Sequence, residues 1–271
     1  MDLILGSEGN LGKALVEKLQ PKDFQVLNKR DIQDWASPTI PVVMNNFFEK
    51  SKYSYESVFV CAGIIDQSRH SNELMAVNCF LPRNLLQLSV KYGYKVITFG
   101  SVHENSLIEN PYINSKRAYL NILKDLHADG NFLHFQLNTL FGGFQNRSST
   151  FLGQLESAIR QKSIFRMSSG IQLREFHNIG LAASSTLDAI IDSLDQKGTH
   201  PIFHGNSLSL AEVATVALEA FGLLNNLRLG ALADPANEVL ESDFFSPKKA
   251  IWIDSFGHGL KDIIEYLKLR M

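Results

Sequence analysis

The chain has 271 residues, 45% hydrophobic and 20% charged, enough for one large domain or a main domain with a smaller one attached. A net charge of −2 and a pI near 6.4 exclude the basic surplus of a nucleic-acid or anionic-lipid binder. No apolar run approaches the ~20 residues that cross a bilayer. The N-terminus lacks the basic leader of a signal peptide, so a cytoplasmic protein without a membrane partner is expected.

Residues 2–5 form an apolar run ending at Gly6, and Leu11, Ala14, Leu15 and Leu19 recur at helical spacing. A second strand, 24–27, ends in the polar cluster Asn28-Lys29-Arg30-Asp31. A third, 57–61, ends in Ala62-Gly63; helical spacing returns over 74–90, with Gly93 as its C-terminal cap. A fourth strand, 95–99, ends in Gly100-Ser101. A helix over 111–126 and a strand over 132–137 follow. Beyond 143 the alternation loosens: 166–176 reads as a strand or hairpin turning at Ser168-Ser169-Gly170, and 208–221 and 259–269 read as helices. Cys61 and Cys79, both in apolar segments, are expected as reduced thiols.

Short apolar strands alternating with helices predict an α/β fold: a Rossmann-like doubly wound parallel sheet with a small C-terminal substrate-binding subdomain. Residues 1–143 are assigned to the dinucleotide-binding domain, its sheet completed by parts of 174–206, and 144–271 mainly to the subdomain. Ligands of such folds bind where the strands end.

Gly6-Ser7-Glu8-Gly9-Asn10-Leu11-Gly12 sits between the first strand and the first helix. Glycines three apart permit a tight turn and bring backbone N–H groups close to a pyrophosphate. The helix N-terminus adds partial positive charge. At the end of the second strand an acidic residue would bind the ribose of NAD. Asn28, Lys29 and Arg30 stand there instead, which favours a 2′-phosphate and hence NADP(H) over NAD(H), although Asp31 follows directly.

Tyr112 and Lys116 are one helical turn apart on one face. A carbonyl reduction needs a proton donor beside the oxygen, and an adjacent ammonium would lower the tyrosine pKa toward neutrality. Ser101, at a strand end upstream, is placed to hydrogen-bond the same oxygen.

Together these residues resemble the extended short-chain dehydrogenase/reductase family, in particular its nucleotide-sugar epimerases, dehydratases and 4-ketoreductases. The likeness runs through the glycine loop, Cys61-Ala62-Gly63, Val77-Asn78, Phe99-Gly100-Ser101, Tyr112 to Lys116 and Leu140-Phe141-Gly142. It continues with Ser169 to Phe176, similar to the family's Gly-x-x-x-Arg-Asp-Phe motif, and Ile202 to Glu212. The resemblance implies Tyr112 as acid/base, Lys116 as its activator and Ser101 as carbonyl orienter. It adds Cys61, Ala62, Gly63 and Asn78, with Tyr112 and Lys116, to the cofactor contacts. Arg174 would bind substrate phosphates, and His103, Asn138, Asn146 and Arg147 are further candidate substrate contacts. No metal is expected, and a homodimer is what the family suggests.

Departures narrow the reading. Ser101 and Tyr112 are only eleven residues apart, Gln136 stands where many members have arginine, and Gly180-Leu181 replace the acid after the Arg-Asp-Phe strand. His103 and Glu104 are candidate extra acid/base groups, but a solvated loop is the default for 102–111. That lean loop favours reduction of a nucleotide-linked 4-keto-6-deoxy sugar. A sugar 4-epimerase with retained NAD and a noncatalytic NADP(H)-sensing protein are the alternatives.

Overall fold

The structure is a computed structural model that describes residues 1–19, 24–125, 131–143, 148–192, 197–248 and 250–271. The chain divides into two compact units: residues 1–105, 109–137 and 183–201, and residues 106–108, 138–182 and 202–271.

In the first unit, β1 (Asp2–Leu5) buries Leu3, Ile4 and Leu5 completely. Each such side chain removed from water contributes about 2 kcal/mol. There follow α1 (Asn10–Leu19), β2 (Phe24–Leu27), the short α2 (Lys29–Ile32) and α3 (Val42–Lys50). The last of these escaped the periodicity; it packs Phe47 and Phe48 against Trp35 and Tyr55. Next come β3 (Ser57–Val60), α4 (Ser71–Met75), a π-helical turn Ala76–Phe80 and α5 (Leu81–Tyr92). Gly93, at φ 76°, closes α5 in the left-handed conformation, as its position predicts. The unit goes on through β4 (Lys95–Ser101), a 3₁₀ turn Val102–Asn105, α6 (Pro111–Asp125) and β5 (Phe132–Leu137).

The second unit holds β6 (Thr139–Phe141), α7 (Phe151–Gln161), β7 (Phe165–Arg166), β8 (Leu173–Arg174) and β9 (Phe176–Asn178). The chain returns to the first unit during α8 (Ile179–Asp192) and leaves it during β10 (Gly198–Phe203). The remaining elements are β11 (Leu208–Ser209), α9 (Leu210–Ala220), β12 (Leu227–Arg228), β13 (Ile251–Trp252) and α10 (Leu260–Leu269). Its core gathers Phe141, Leu155, Phe176, Val213 and Ile263. Among the described residues no helix is long and apolar enough to cross a membrane.

The main sheet has seven strands in the order β2-β1-β3-β4-β5-β10-β13, every pairing parallel. This is the Rossmann-like α/β sheet that the apolar runs predicted. Leu5 pairs with both Leu27 and Val60, so the loops that begin at Gly6, Asn28 and Cys61 leave the sheet side by side. That edge, where β1 has β2 on one side and β3 on the other, is the topological switch point.

Over 166–176, expected as a strand or hairpin, short strands form but do not pair as a hairpin. β7 pairs in parallel with β12 and β8 pairs antiparallel with β11, each a sequence-distant partner. The predicted helix over 208–221 begins at Leu210, because Leu208 and Ser209 are strand β11; the Ser209 side chain accepts the Glu212 N–H as N-cap.

Candidate active site

Gly6 follows β1 at φ 81°, a conformation that favours glycine. A Cβ on it would lie 2.5 Å from Ala62 N, so the loops after β1 and β3 touch backbone to backbone. Gly9 N–H donates to Gly6 O at 3.1 Å and closes the turn. A Cβ on Gly12 would stand 2.2 Å from Gly6 O, so only glycine lets α1 start this close to the strand. Ser7 lies in the turn, and Asn10 and Leu11 open α1, all three half-buried. A tight loop with exposed main chain, feeding a helix N-terminus, fits a dinucleotide pyrophosphate.

After β2, Asn28 does other work. Its Oδ1 accepts the N–H groups of Arg30 and Asp31, and its own N–H donates to the Asp31 carboxylate at 2.8 Å. This is a capping box for α2. The Asn28 side-chain acceptor is thereby engaged by the helix. Asp31 is the other half of the box. Lys29 and Arg30 are exposed on α2.

After β3, Cys61, Ala62 and Gly63 lead to Ile64, and the buried Asn78 holds that loop. Asn78 Oδ1 accepts Ile64 N–H at 2.9 Å, and its Nδ2 donates to Ile64 O at 2.8 Å and Ser115 Oγ at 2.9 Å. With those bonds the Asn78 amide braces the loop. The π-helical turn around Asn78 departs from α-helical spacing at this junction. Cys61 and Cys79 are free thiols, and burial pushes the Cys61 thiol up to about 12.

Ser101 ends β4 and Tyr112 lies in the first turn of α6, whose N-terminus Asn110 caps by accepting Ile113 N–H at 2.8 Å. Pro111 takes the first helical position, where no N–H is missed. Ser101 is near enough to the Tyr112 phenol to pull its pKa down. Lys116, one turn further, donates from Nζ to Phe99 O at 2.8 Å. A Cβ on Gly63 would stand 3.5 Å from Asn78 Oδ1 and 3.7 Å from Lys116 Nζ, which places the glycine beside the ammonium.

The expected lowering of the Tyr112 pKa by Lys116 is not what this site does. Burial, then the charge of Glu104, hold the phenol above its ordinary value, and Ser101 opposes them. Burial lowers the Lys116 pKa, and Glu104 counters it.

Glu104 also corrects the reading of 102–111 as a solvated loop. Residues Val102–Asn105 are a 3₁₀ turn, and Glu104 is 3% exposed. Its Oε1 accepts Ser101 N–H at 2.9 Å, while its Oε2 lies 3.0 Å from His134 Nε2 and accepts from Gln136 Nε2 at 3.0 Å. Gln136, where many relatives carry arginine, is thus a partner of Glu104. His103, in the same turn, is half-buried and donates its N–H to Ser101 Oγ at 3.3 Å.

Of the remaining candidate substrate contacts, Asn138 and Arg174 lie in the second unit. Asn138 is buried and donates from Nδ2 to Ile202 O at 2.8 Å, fastening β10. Arg174 forms an ion pair with Glu238 at 2.5 Å and donates to Leu173 O at 2.7 Å. Asn146 and Arg147 fall outside the described residues. Glu175 is buried and accepts the N–H groups of His204 at 3.0 Å and Gly205 at 2.7 Å. His177 Nε2 lies 2.9 Å from its carboxylate, and the rings of His177, His204 and His258 gather beside it.

A family model described as "NAD dependent epimerase/dehydratase family" matches residues 3–184. No curated protein matches the chain. Among solved structures, a dTDP-4-dehydrorhamnose reductase from Clostridium acetobutylicum is 16% identical, covering 100% of this chain and 99% of its own, with a TM-score of 0.72. RMD from Pseudomonas aeruginosa, solved with NADPH, is 14% identical over 100% of this chain and 99% of its own, TM-score 0.72. A UDP-N-acetylglucosamine 4-epimerase from Methanobrevibacter ruminantium is 17% identical over 100% and 98%, TM-score 0.70. At these identities the likeness is one of fold.

Proposed function

The chain belongs to the NAD dependent epimerase/dehydratase family, and from that premise we propose that it is an NADP(H)-dependent reductase of a nucleotide-linked 4-keto-6-deoxy sugar. The observation that carries this reading is the placement of Ser101 at the end of β4 and of Tyr112 and Lys116 one turn apart on α6, in the unit that also holds the glycine loop.

The cofactor, when bound, supplies a hydride to the keto carbon. The residues of the chain supply the rest. Gly6 to Gly12 and the N-terminus of α1 hold the pyrophosphate, and Lys29 and Arg30 carry the positive charge suited to a 2′-phosphate. Lys116 offers its ammonium to the ribose hydroxyls. Ser101 orients the substrate carbonyl oxygen, and Tyr112 gives that oxygen its proton as negative charge develops. The lean turn after Ser101 supports simple reduction, since Glu104 is committed to Ser101, His134 and Gln136.

Tyr112→Phe should lower kcat by about 10²–10⁴-fold while NADPH affinity stays near that of the native protein. Near-native turnover in that variant would remove Tyr112 from the mechanism. NAD that stays bound through purification would point to an epimerase, whereas freely exchanging NADPH fits the reductase.

A further inference from the structure

The second unit gathers three histidines and a glutamate in one dry place. Glu175 stands between β8 and β9, His177 is in β9, His204 follows β10 and His258 precedes α10. The side chains of Glu175, His177 and His204 have no solvent exposure. Hydrogen bonding accounts for only part of this gathering. The Glu175 carboxylate accepts the main-chain N–H groups of His204 and Gly205, and His177 Nε2 lies 2.9 Å from its Oε2. His204 Nε2 stands 3.9 Å from the same oxygen, beyond hydrogen-bond reach, and its contact with Phe176 O is long at 3.4 Å. Among the described residues His177 Nδ1, although buried, has no hydrogen-bond partner. Nothing therefore fixes which nitrogen of that ring carries the proton, and Nε2 is free to act as a ligand.

We propose that Glu175, His177 and His204 form a binding site for a divalent transition-metal ion of the zinc class, held by two imidazole nitrogens and one carboxylate oxygen. One ligand atom from each residue lies within 4.8 Å of those from the other two. Ligand atoms about 2.1 Å from a tetrahedral ion stand about 3.4 Å apart, and the 2.9 and 3.9 Å separations from Glu175 Oε2 bracket that value. Nitrogen donors favour zinc-like ions over Mg²⁺ and Ca²⁺, which take oxygen. Binding asks for two proton shifts. The His177 proton moves from Nε2 to the unpartnered Nδ1, and the His204 proton likewise moves from Nε2 to Nδ1. The second shift releases the Asn206 N–H, which Nδ1 accepts at 3.2 Å, to solvent, since Asn206 is exposed. Residues 205 and 206, both exposed, give an ion its entry. His258 walls the site: its ring lies 5.2 Å from that of His177 and 5.4 Å from that of His204, and its Nδ1 accepts Asn178 N–H at 2.8 Å. The ion ties β9 and its approach to the end of β10. Nothing in the spacing of these residues announces a metal, since His204 lies 29 residues beyond Glu175.

The test uses the full chain, stripped with EDTA and then freed of the chelator, with Zn²⁺ alone as the probe. Calorimetric titration near neutral pH should show one ion per chain, with a Kd at or below about 1 μM. Co²⁺ in its place should give the strong visible absorption of a four- or five-coordinate site, which surface-bound Co²⁺ lacks. His177→Gln and His204→Gln should each weaken Zn²⁺ binding by about tenfold or more. Anomalous diffraction from native crystals grown with Zn²⁺ should place the ion among the three side chains, and this arm stands even where a variant fails to fold. Absence of stoichiometric binding, undiminished binding in either folded variant, or an ion held by other residues overturns the proposal. Neither nicotinamide nor sugar enters the experiment, so its outcome is independent of the reductase reading.

Discussion

Gly100 is where backbone, carboxylate and imidazole compete for one space. Gly100→Ala should cost about 1–3 kcal/mol in urea unfolding, because the added methyl displaces Glu104 or His134. Combining it with Glu104→Ala should cost less than the sum of the two single changes, since both act on one contact; simple additivity would contradict the packing described. Arg174 raises a different question at the same scale. With Glu238 on its guanidinium, a substrate diphosphate would reach Arg174 only by displacing that carboxylate. Glu238→Gln should therefore tighten UDP or dTDP binding measured by calorimetry, by up to about tenfold, equal to about 1.4 kcal/mol. Weaker binding in that variant would show that Glu238 shapes the subsite instead of closing it. Individual roles were only partly legible in the residues. The spacing of Tyr112 and Lys116 and the place of Ser101 at a strand end could be read directly, whereas Asn28, Asn78 and Asn138 make hydrogen bonds to backbone groups that only the folded chain brings near. Glu104 looked solvated because its partners His134 and Gln136 lie 30 and 32 residues away in sequence.

At the scale of elements, the strands of the parallel sheet were legible because burial on both faces leaves nearly continuous apolar runs. The second unit offered no such signal. Its strands are two or three residues long and pair with distant segments, so neither alternation nor turn chemistry identifies them. The end of β10 and the chain before α10 also bring His204 and His258 to the Glu175–His177 pair of β9 and its approach. Burial lowers His177 to about 3 and His258 to about 4, the latter helped by the neighbouring histidines. In the unfolded chain both titrate near 6.5, so their contribution to stability is complete above that pH and is lost as pH falls toward 4. Glu175, whose carboxyl burial raises, acts in the opposite direction and offsets part of the effect. Melting temperature should drop between pH 7 and 4.5, and less steeply in His177→Gln; equal slopes in the two proteins would mean that the histidines are not the cause.

For the whole molecule, fold and family agree, while the choice of substrate and of cofactor rests on a few side chains. Lys29 and Arg30 are exposed after β2, and Arg30→Ala should raise the KM for NADPH severalfold and leave that for NADH nearly unchanged. Equal losses with both cofactors would remove the 2′-phosphate from the argument. The central claim is that the chain moves a hydride onto a keto sugar while Tyr112 moves the proton. The most direct measurement supplies NADPH deuterated at the transferred position of nicotinamide C4, together with nucleotide-linked 4-keto-6-deoxy sugars, and follows the label by NMR. Deuterium on sugar C4, formed by the native protein and nearly absent with Tyr112→Phe, is the predicted result. NADPH that binds but transfers no label to any such sugar would contradict it.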